Sequence, residues 1–398
     1  MIRRLAWVFL HQGVGRGSTF AFFALLPLVL PLDAVGRFTL AWAAILLVLQ
    51  PALEGAAGTL LVRAAARGDV ATSRRVGRAA VGTCTALAAL LALLSFGAQV
   101  APPVWGWLGL AFAVLLPLNL VSASARGRGV FELEGIAGTI QKASLPLLLL
   151  LLAHDGADET LPARVLLLSA IPGWAAAGFV LARHPLPDVP AASASPPAAS
   201  ETWREVLLLA GLSAASFLAL RADLGLLRAF RGFHDVGLFA TASRWVEAAY
   251  VLPYGAMLAY FPTVAAERPS PARLRRAALS FAATGGLGAV AAAVAATLLA
   301  PRLYPGAGAE IAQVVLRLAP AALPVALSTL CGQALVARER SGLALAGALT
   351  GLTVHLGFSV LLIPSLGPAG AAYAAVAGEL AGAAAAVLFV SRALAREA

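Results

Sequence analysis

The sequence predicts an all-α polytopic membrane protein, and three observations lead to this fold class. The 398 residues are 60% hydrophobic and only 12% charged, with a mean hydropathy of +0.87, whereas soluble domains carry roughly 25% charged residues. Long apolar stretches recur along the chain, and the loops between them alternate between arginine-rich and arginine-poor. Because the apolar stretches lack period-2 alternation, helices are expected rather than the strands of a closed barrel.

Each predicted span is an apolar stretch close to the roughly 20 residues that a helix needs to cross the hydrocarbon layer. The first stretch follows Arg3 and Arg4 and ends before Pro31. An arginine-rich loop follows each even-numbered span. The twelve predicted spans are 5–30, 38–61, 79–100, 104–123, 131–153, 165–181, 206–227, 237–260, 277–299, 311–336, 343–363 and 369–390.

The basic residues define an orientation. Of the 29 lysines and arginines, 19 lie at the termini or in the loops that follow even-numbered spans. Only five lie in the opposite loops, namely Arg37, Arg164, Arg228, Arg231 and Arg302. By the positive-inside rule both termini are predicted to be cytoplasmic. This partition accounts for the net charge of +10 without a nucleic-acid partner, and the bilayer is the expected surrounding.

A repeat divides the twelve spans into two halves. The Pro/Ser/Ala-rich segment 183–202 is predicted to be a cytoplasmic linker between an amino-terminal six-helix bundle, 1–182, and a carboxyl-terminal one, 203–398. A shift of 201 positions aligns VGRF at 35–38 with VGLF at 236–239, and a basic loop with its counterpart. Since six spans per half give both halves one orientation, the repeat axis should follow the membrane normal, with a cavity between the bundles.

Charged residues inside spans are costly and usually face a cavity or a partner. Arg244 and Glu247 are three residues apart, so they share a helix face and are expected to neutralise each other. Arg221 and Asp223 are two apart and cannot share a face, so at least one needs a partner on another helix or in a cavity. The charged residues within spans are Arg16, Glu54, Lys142, Arg221, Asp223, Arg244, Glu247, Arg317 and Glu379.

Uncharged polar residues in spans are expected chiefly to hydrogen-bond between helices. They are Gln50, Asn119, Gln141, Gln333 and His355. No cofactor or metal is predicted, because His355 has no second ligand at metal-binding spacing and no GxxxxGK[ST] loop occurs. The sequence also offers no sizeable extramembrane domain for a catalytic site, so an enzyme is not expected.

Several motifs resemble the multidrug/oligosaccharidyl-lipid/polysaccharide exporter superfamily. LDAVGRFTLAWA at 32–43 and its repeat beginning FHDVGLFATA at 233 are similar to the superfamily's turn into spans 2 and 8. RADLGLL at 221–227 resembles its Asp-bearing seventh helix. The stretch 303–383, which begins with LYPGAG and ends with AGELAGA, resembles its last three helices. The resemblance implies twelve helices in the 6+6 arrangement of MATE transporters.

Within the superfamily, the twelve spans and the IPSLGPAG turn at 363–370 resemble the polysaccharide-biosynthesis branch. That branch implies a monomeric flippase of the bacterial inner membrane that moves undecaprenyl-pyrophosphate-linked oligosaccharide for surface polysaccharides such as the O-antigen of lipopolysaccharide. The resemblance implies that a basic cavity receives the pyrophosphate, and bidentate guanidinium geometry suits that role. The implied substrate-binding residues are Arg16, Arg221, Arg244 and Arg317.

Two alternatives stay open. The first is a multidrug exporter of the same fold driven by Na⁺ or H⁺, in which Asp223, Glu247 or Glu54 binds the coupling ion. The second is a membrane-embedded polymerase or glycosyltransferase acting on the same lipid carrier. It is disfavoured because the longest non-cytoplasmic loop is only residues 154–164.

Overall fold

The computed structural model describes residues 2–50, 57, 61, 70–99, 101–127, 130–183, 199–250, 253, 271–338 and 340–395. These residues form helices and connecting turns, with no strand among them, which confirms the predicted all-α class. Ten of the described helices are long and apolar enough to cross a membrane. Each of the twelve predicted spans coincides with a helix over its described residues.

In the amino-terminal half, the helices are α1 (Ile2–Val29), α2 (Leu32–Gln50), α3 (Val70–Ala92), α4 (Pro103–Gly127), α5 (Phe131–Leu152) and α6 (Leu161–Arg183). A π turn, Leu93–Gly97, extends α3. In the carboxyl-terminal half, they are α7 (Ala199–Phe230), α8 (Phe233–Ala249), α9 (Pro271–Leu303), α10 (Gly308–Ala337), α11 (Ser341–Leu366) and α12 (Pro368–Ala395). The carboxyl ends of predicted spans 2 and 8 lie largely outside the described residues.

The tenth span departs from the uniform helix that its hydropathy predicts. Helix α10 is interrupted by a 3-10 turn, Ala319–Ala321, between Gly308–Leu318 and Ala322–Ala337. Pro320 lies in the turn and Pro324 follows it. A proline inside a helix lacks an N–H donor and clashes with the preceding turn, so this pair explains the break.

The chain divides into two compact units. Unit 1 comprises residues 1–30 and 41–213, and unit 2 comprises residues 31–40 and 214–398. The predicted domain limits, 1–182 and 203–398, stay predictions. Most of the predicted linker 183–202 lies outside the described residues, and α7 already begins at Ala199, within the predicted segment.

In unit 1, α5 and α6 are joined by a buried hydrogen bond in which Gln141 Nε2 donates to Ser169 Oγ over 2.8 Å. Helix α6 also contacts α4, where Trp174 Nε1 donates to the Val114 carbonyl over 3.1 Å. The Gln141 bond confirms the interhelical role expected for that residue.

In unit 2, the repeated VGxF motif forms a reciprocal helix crossing. A Cβ atom on Gly36 of α2 would lie 2.1 Å from the carbonyl oxygen of Phe233, and one on Gly237 of α8 would lie 2.0 Å from that of Leu32. The two contacts are related by the same shift of 201 positions as the sequence repeat. The glycines are therefore required at both positions because the backbones touch there.

Candidate functional site

Unit 2 contains a group of polar side chains, called here the Asp223 cluster, of which Asp223, His355 and Ser359 are buried and Glu379 is partly exposed. It consists of Asp223 on α7, His355 and Ser359 on α11, and Glu379 on α12. His355 Nε2 lies 2.8 Å from Asp223 Oδ2, and the Ser359 hydroxyl donates to Asp223 Oδ1 over 2.8 Å. Asp223 is 1% exposed and His355 2%. A carboxylate buried to this extent in an apolar bundle depends on such partners.

Glycines bring α12 against α11 at the level of the cluster. A Cβ atom on Gly378 would lie 2.5 Å from the Cβ of His355 and 2.9 Å from the carbonyl oxygen of Gly351. Gly382, one turn further along α12, also contacts Gly351. Gly378 and Gly382 are four residues apart on one face of α12, and small residues at this spacing allow such close helix packing. The packing also places Glu379 near enough to His355 for an electrostatic interaction.

A second polar group in unit 2, called here the Arg–Glu–Arg group, consists of Arg221, Glu247 and Arg244. Arg221 of α7 binds Glu247 of α8 in a fork, with Nη1 to Oε1 at 2.7 Å and Nη2 to Oε2 at 3.1 Å. Arg244 Nη1 donates to Glu247 Oε2 over 2.8 Å. Two guanidinium groups therefore share one carboxylate, so the three side chains together carry one positive charge.

Removing the shared carboxylate should destabilise unit 2. All three side chains are largely buried, at 11% exposure for Arg221, 9% for Arg244 and 23% for Glu247. Glu247→Gln leaves the two guanidinium groups facing each other, and breaking such a pair typically costs about 3–5 kcal/mol. We expect a correspondingly lower unfolding temperature for the purified variant in detergent. Glu310→Gln, at an exposed glutamate in the first turn of α10, should change stability by less than about 0.5 kcal/mol. Equal stability of the two variants would contradict the prediction.

The structure explains how the neighbouring charges Arg221 and Asp223 are accommodated. Their spacing predicts that at least one of them has a partner on another helix or in a cavity. In the structure both have partners on other helices, Arg221 on α8 and Asp223 on α11. The expected Arg244–Glu247 pair is confirmed, and Arg221 joins it. His355 and Ser359 were not predicted from the sequence to be the partners of Asp223. His355 and Ser359 are four residues apart and therefore lie on one face of a helix, and this spacing was the only sequence feature that indicated a shared polar contact.

The other predicted site residues lie elsewhere. Arg317 of α10 donates from Nε to the Tyr373 hydroxyl over 3.3 Å and from Nη1 to the Gln313 carbonyl over 3.0 Å. Arg16 is a partly exposed residue of α1 in unit 1. Glu54 lies outside the described residues. Arg221 and Arg244 are thus brought together, whereas Arg317 belongs to a separate contact.

Comparison with known proteins identifies the fold. No family model and no curated protein matches the sequence. An inward-facing multidrug resistance MATE family transporter of the MOP superfamily matches with a TM-score of 0.71 and 15% identity over 97% of this chain and 95% of that one. A mutant of the Vibrio cholerae MATE transporter VcmN matches with a TM-score of 0.70 and 18% identity, covering 99% and 97% of the two chains. An outward-facing multidrug resistance MATE transporter gives 0.69 and 16%, covering 98% and 95%. The chain therefore has the fold of MATE transporters.

Proposed function

We propose that this protein is a cation-coupled secondary exporter of drug-like compounds, in which Asp223 is the coupling carboxylate. The observation that carries the proposal is the burial of Asp223 within a transmembrane helix. Among the described residues, its hydrogen-bond partners are one titratable side chain, His355, and one hydroxyl group, that of Ser359. Ionisable groups at this depth commonly mark ion pathways and proton relays.

The fold comparison supports the same function. The similar structures are multidrug transporters by their descriptions, so the multidrug alternative from the sequence analysis is preferred to the flippase. Exporters of this architecture need two access states around a central site and an ion that biases one of them. The proposal retains the predicted topology: a monomer in the bacterial inner membrane, with both termini cytoplasmic.

A lipid-linked oligosaccharide flippase is the second candidate, and the Arg–Glu–Arg group favours it. Its excess positive charge lies in an apolar environment, where it could neutralise part of a pyrophosphate. Against this candidate, Arg221 and Arg244 both already bind Glu247, and Arg317 lies in a separate contact.

The two candidates give opposite results in living cells. If the chain is a multidrug exporter, its expression in a bacterial strain that lacks endogenous efflux pumps should lower ethidium accumulation, and Asp223→Asn should abolish this effect. Deletion from the native host should then leave surface glycan unchanged. Accumulation of a lipid-linked precursor on the cytoplasmic face of the deletion strain, without altered ethidium sensitivity, would reject the exporter in favour of the flippase.

A further inference from the structure

We propose that the ion bound by the Asp223 cluster is a proton held by the Asp223–His355 pair, and that the cluster does not bind Na⁺. This inference rests on the proposed function, because it assigns the coupling ion of the same site. It follows from the hydrogen-bond donors that contact the Asp223 carboxylate and from the unbroken helical backbone of α7 and α11 around it.

Hydrogen-bond donors occupy both oxygens of the Asp223 carboxylate. Oδ2 lies 2.8 Å from His355 Nε2, and Oδ1 accepts the Ser359 hydroxyl proton over 2.8 Å. When the carboxylate is ionised, it has no proton to give, and the imidazole nitrogen is then the donor in that bond. In this arrangement the N–H and O–H bonds point at the carboxylate and already compensate its charge, so a metal cation would have to displace them to bind there.

Within the described residues, α7 and α11 have no unwound segment that could bind Na⁺ at the level of the cluster. Transporter Na⁺ sites typically use carbonyl oxygens that an unwound helix leaves free. Helix α7 continues from Ala199 to Phe230 through Asp223, and α11 continues from Ser341 to Leu366 through His355 and Ser359. The carbonyl groups around the cluster are therefore used in helical hydrogen bonds.

The two proposed states of the Asp223–His355 pair differ by one proton on the imidazole ring. With the proton bound, an imidazolium ion faces a carboxylate, and the pair is neutral. On release, the proton leaves Nδ1 for water, Nε2 keeps its proton and its bond to Asp223, and the pair becomes negative. The hydrogen bonds thus persist in both states, while the buried charge changes by one unit.

The surrounding charges make the two states energetically different. Glu379 of α12 interacts electrostatically with His355, and when ionised it adds negative charge next to the pair. Arg221 lies on the same helix as Asp223 but binds Glu247, and Arg317 of α10 binds Tyr373. A negative pair next to Glu379 is unfavourable in a dry environment, so proton release should favour a conformation in which water reaches the cluster.

The experiment measures proton binding directly, on the full chain purified in detergent. Infrared difference spectra are recorded while the pH is changed between about 8 and 5, the range in which histidine usually titrates. The wild-type spectra should contain an imidazolium contribution from His355 in addition to those of the other four histidines, and His355→Gln should remove that one contribution. Glutamine retains a side-chain N–H for Asp223 but cannot bind the extra proton. His234→Gln, at an exposed histidine of α8, should leave the signal from the buried histidine unchanged.

A second variant covers the case in which His355→Gln does not fold. In Asp223→Asn the imidazolium loses its carboxylate, so the His355 signal should appear only at lower pH than in the wild type. An unchanged titration pH would overturn the assignment. So would persistence of the buried-histidine signal in a folded His355→Gln protein.

Sodium binding is tested on the same preparations by thermal unfolding in NaCl and in choline chloride at equal ionic strength. The unfolding temperature should be the same in both salts. A higher temperature in NaCl for the wild type, lost in Asp223→Asn, would show that the cluster is a Na⁺ site and overturn the proposal. Ethidium export from proteoliposomes, driven by a pH gradient, is measured separately. If the His355 signal is present but ethidium is not exported, the proton site stands and the multidrug function fails.

Discussion

Gly237→Ala should lower the stability of the folded protein by about 3 kcal/mol or more, the upper end of the range for overpacked positions. The added methyl carbon would lie 2.0 Å from the carbonyl oxygen of Leu32 and 2.8 Å from its carbonyl carbon. Both obstructing atoms belong to the backbone, so no side-chain rotation can relieve the clash, and α2 and α8 must separate. The yield of monodisperse protein in detergent and its unfolding temperature measure the effect.

The crossing also provides its own internal comparison. Gly36→Ala meets the carbonyl oxygen of Phe233 at 2.1 Å and should be as disruptive as Gly237→Ala. Gly342→Ala is the matched control, because a methyl group at that position of α11 meets nothing within 4 Å. Alanine favours helices over glycine by roughly 1 kcal/mol, so the control should be neutral or slightly stabilising. Normal yield and stability for Gly237→Ala would contradict the close crossing.

The helices could be predicted from the sequence because each span is a local property. A run of about 20 apolar residues in a bilayer must satisfy its backbone internally, whatever lies beside it. Hydropathy therefore located α5 and α11 within a few residues. It could not show that α10 is interrupted at Ala319–Ala321, because apolar residues continue through the turn and prolines are also tolerated in unbroken membrane helices, as Pro117 is in α4.

The site could be predicted only in part, because its contacts join distant parts of the chain. The spacing of Arg221 and Asp223 indicated that at least one of them needs a partner on another helix or in a cavity, but it could not identify that partner. Asp223 and His355 are 132 residues apart, and Arg221 and Glu247 are 26 apart. Local periodicity contains no information about which helix faces which. The repeated glycines Gly36 and Gly237 were visible as a motif, whereas their mutual contact required the tertiary structure.

Asp223→Ala and Asp223→Asn should separate the structural contribution of the Asp223 cluster from its role in transport. Alanine leaves the buried His355 N–H and Ser359 hydroxyl without their acceptor. Losing one partner of a buried charged pair costs about 3–5 kcal/mol, so we expect little folded Asp223→Ala protein. Asparagine has nearly the same shape and keeps one carbonyl oxygen as an acceptor, so Asp223→Asn should fold with a much smaller loss.

The asparagine variant then tests function in a folded protein. It cannot carry the negative charge against which His355 binds its proton, so ethidium export driven by a pH gradient should fall to the rate of protein-free vesicles. Asp235→Asn is the control, since Asp235 lies in the first turn of α8 and pairs with Arg231, outside the buried cluster. Its transport should match the wild type. Wild-type export by Asp223→Asn would remove Asp223 from the coupling mechanism, and reduced protein levels with normal activity per molecule would leave it a purely structural role.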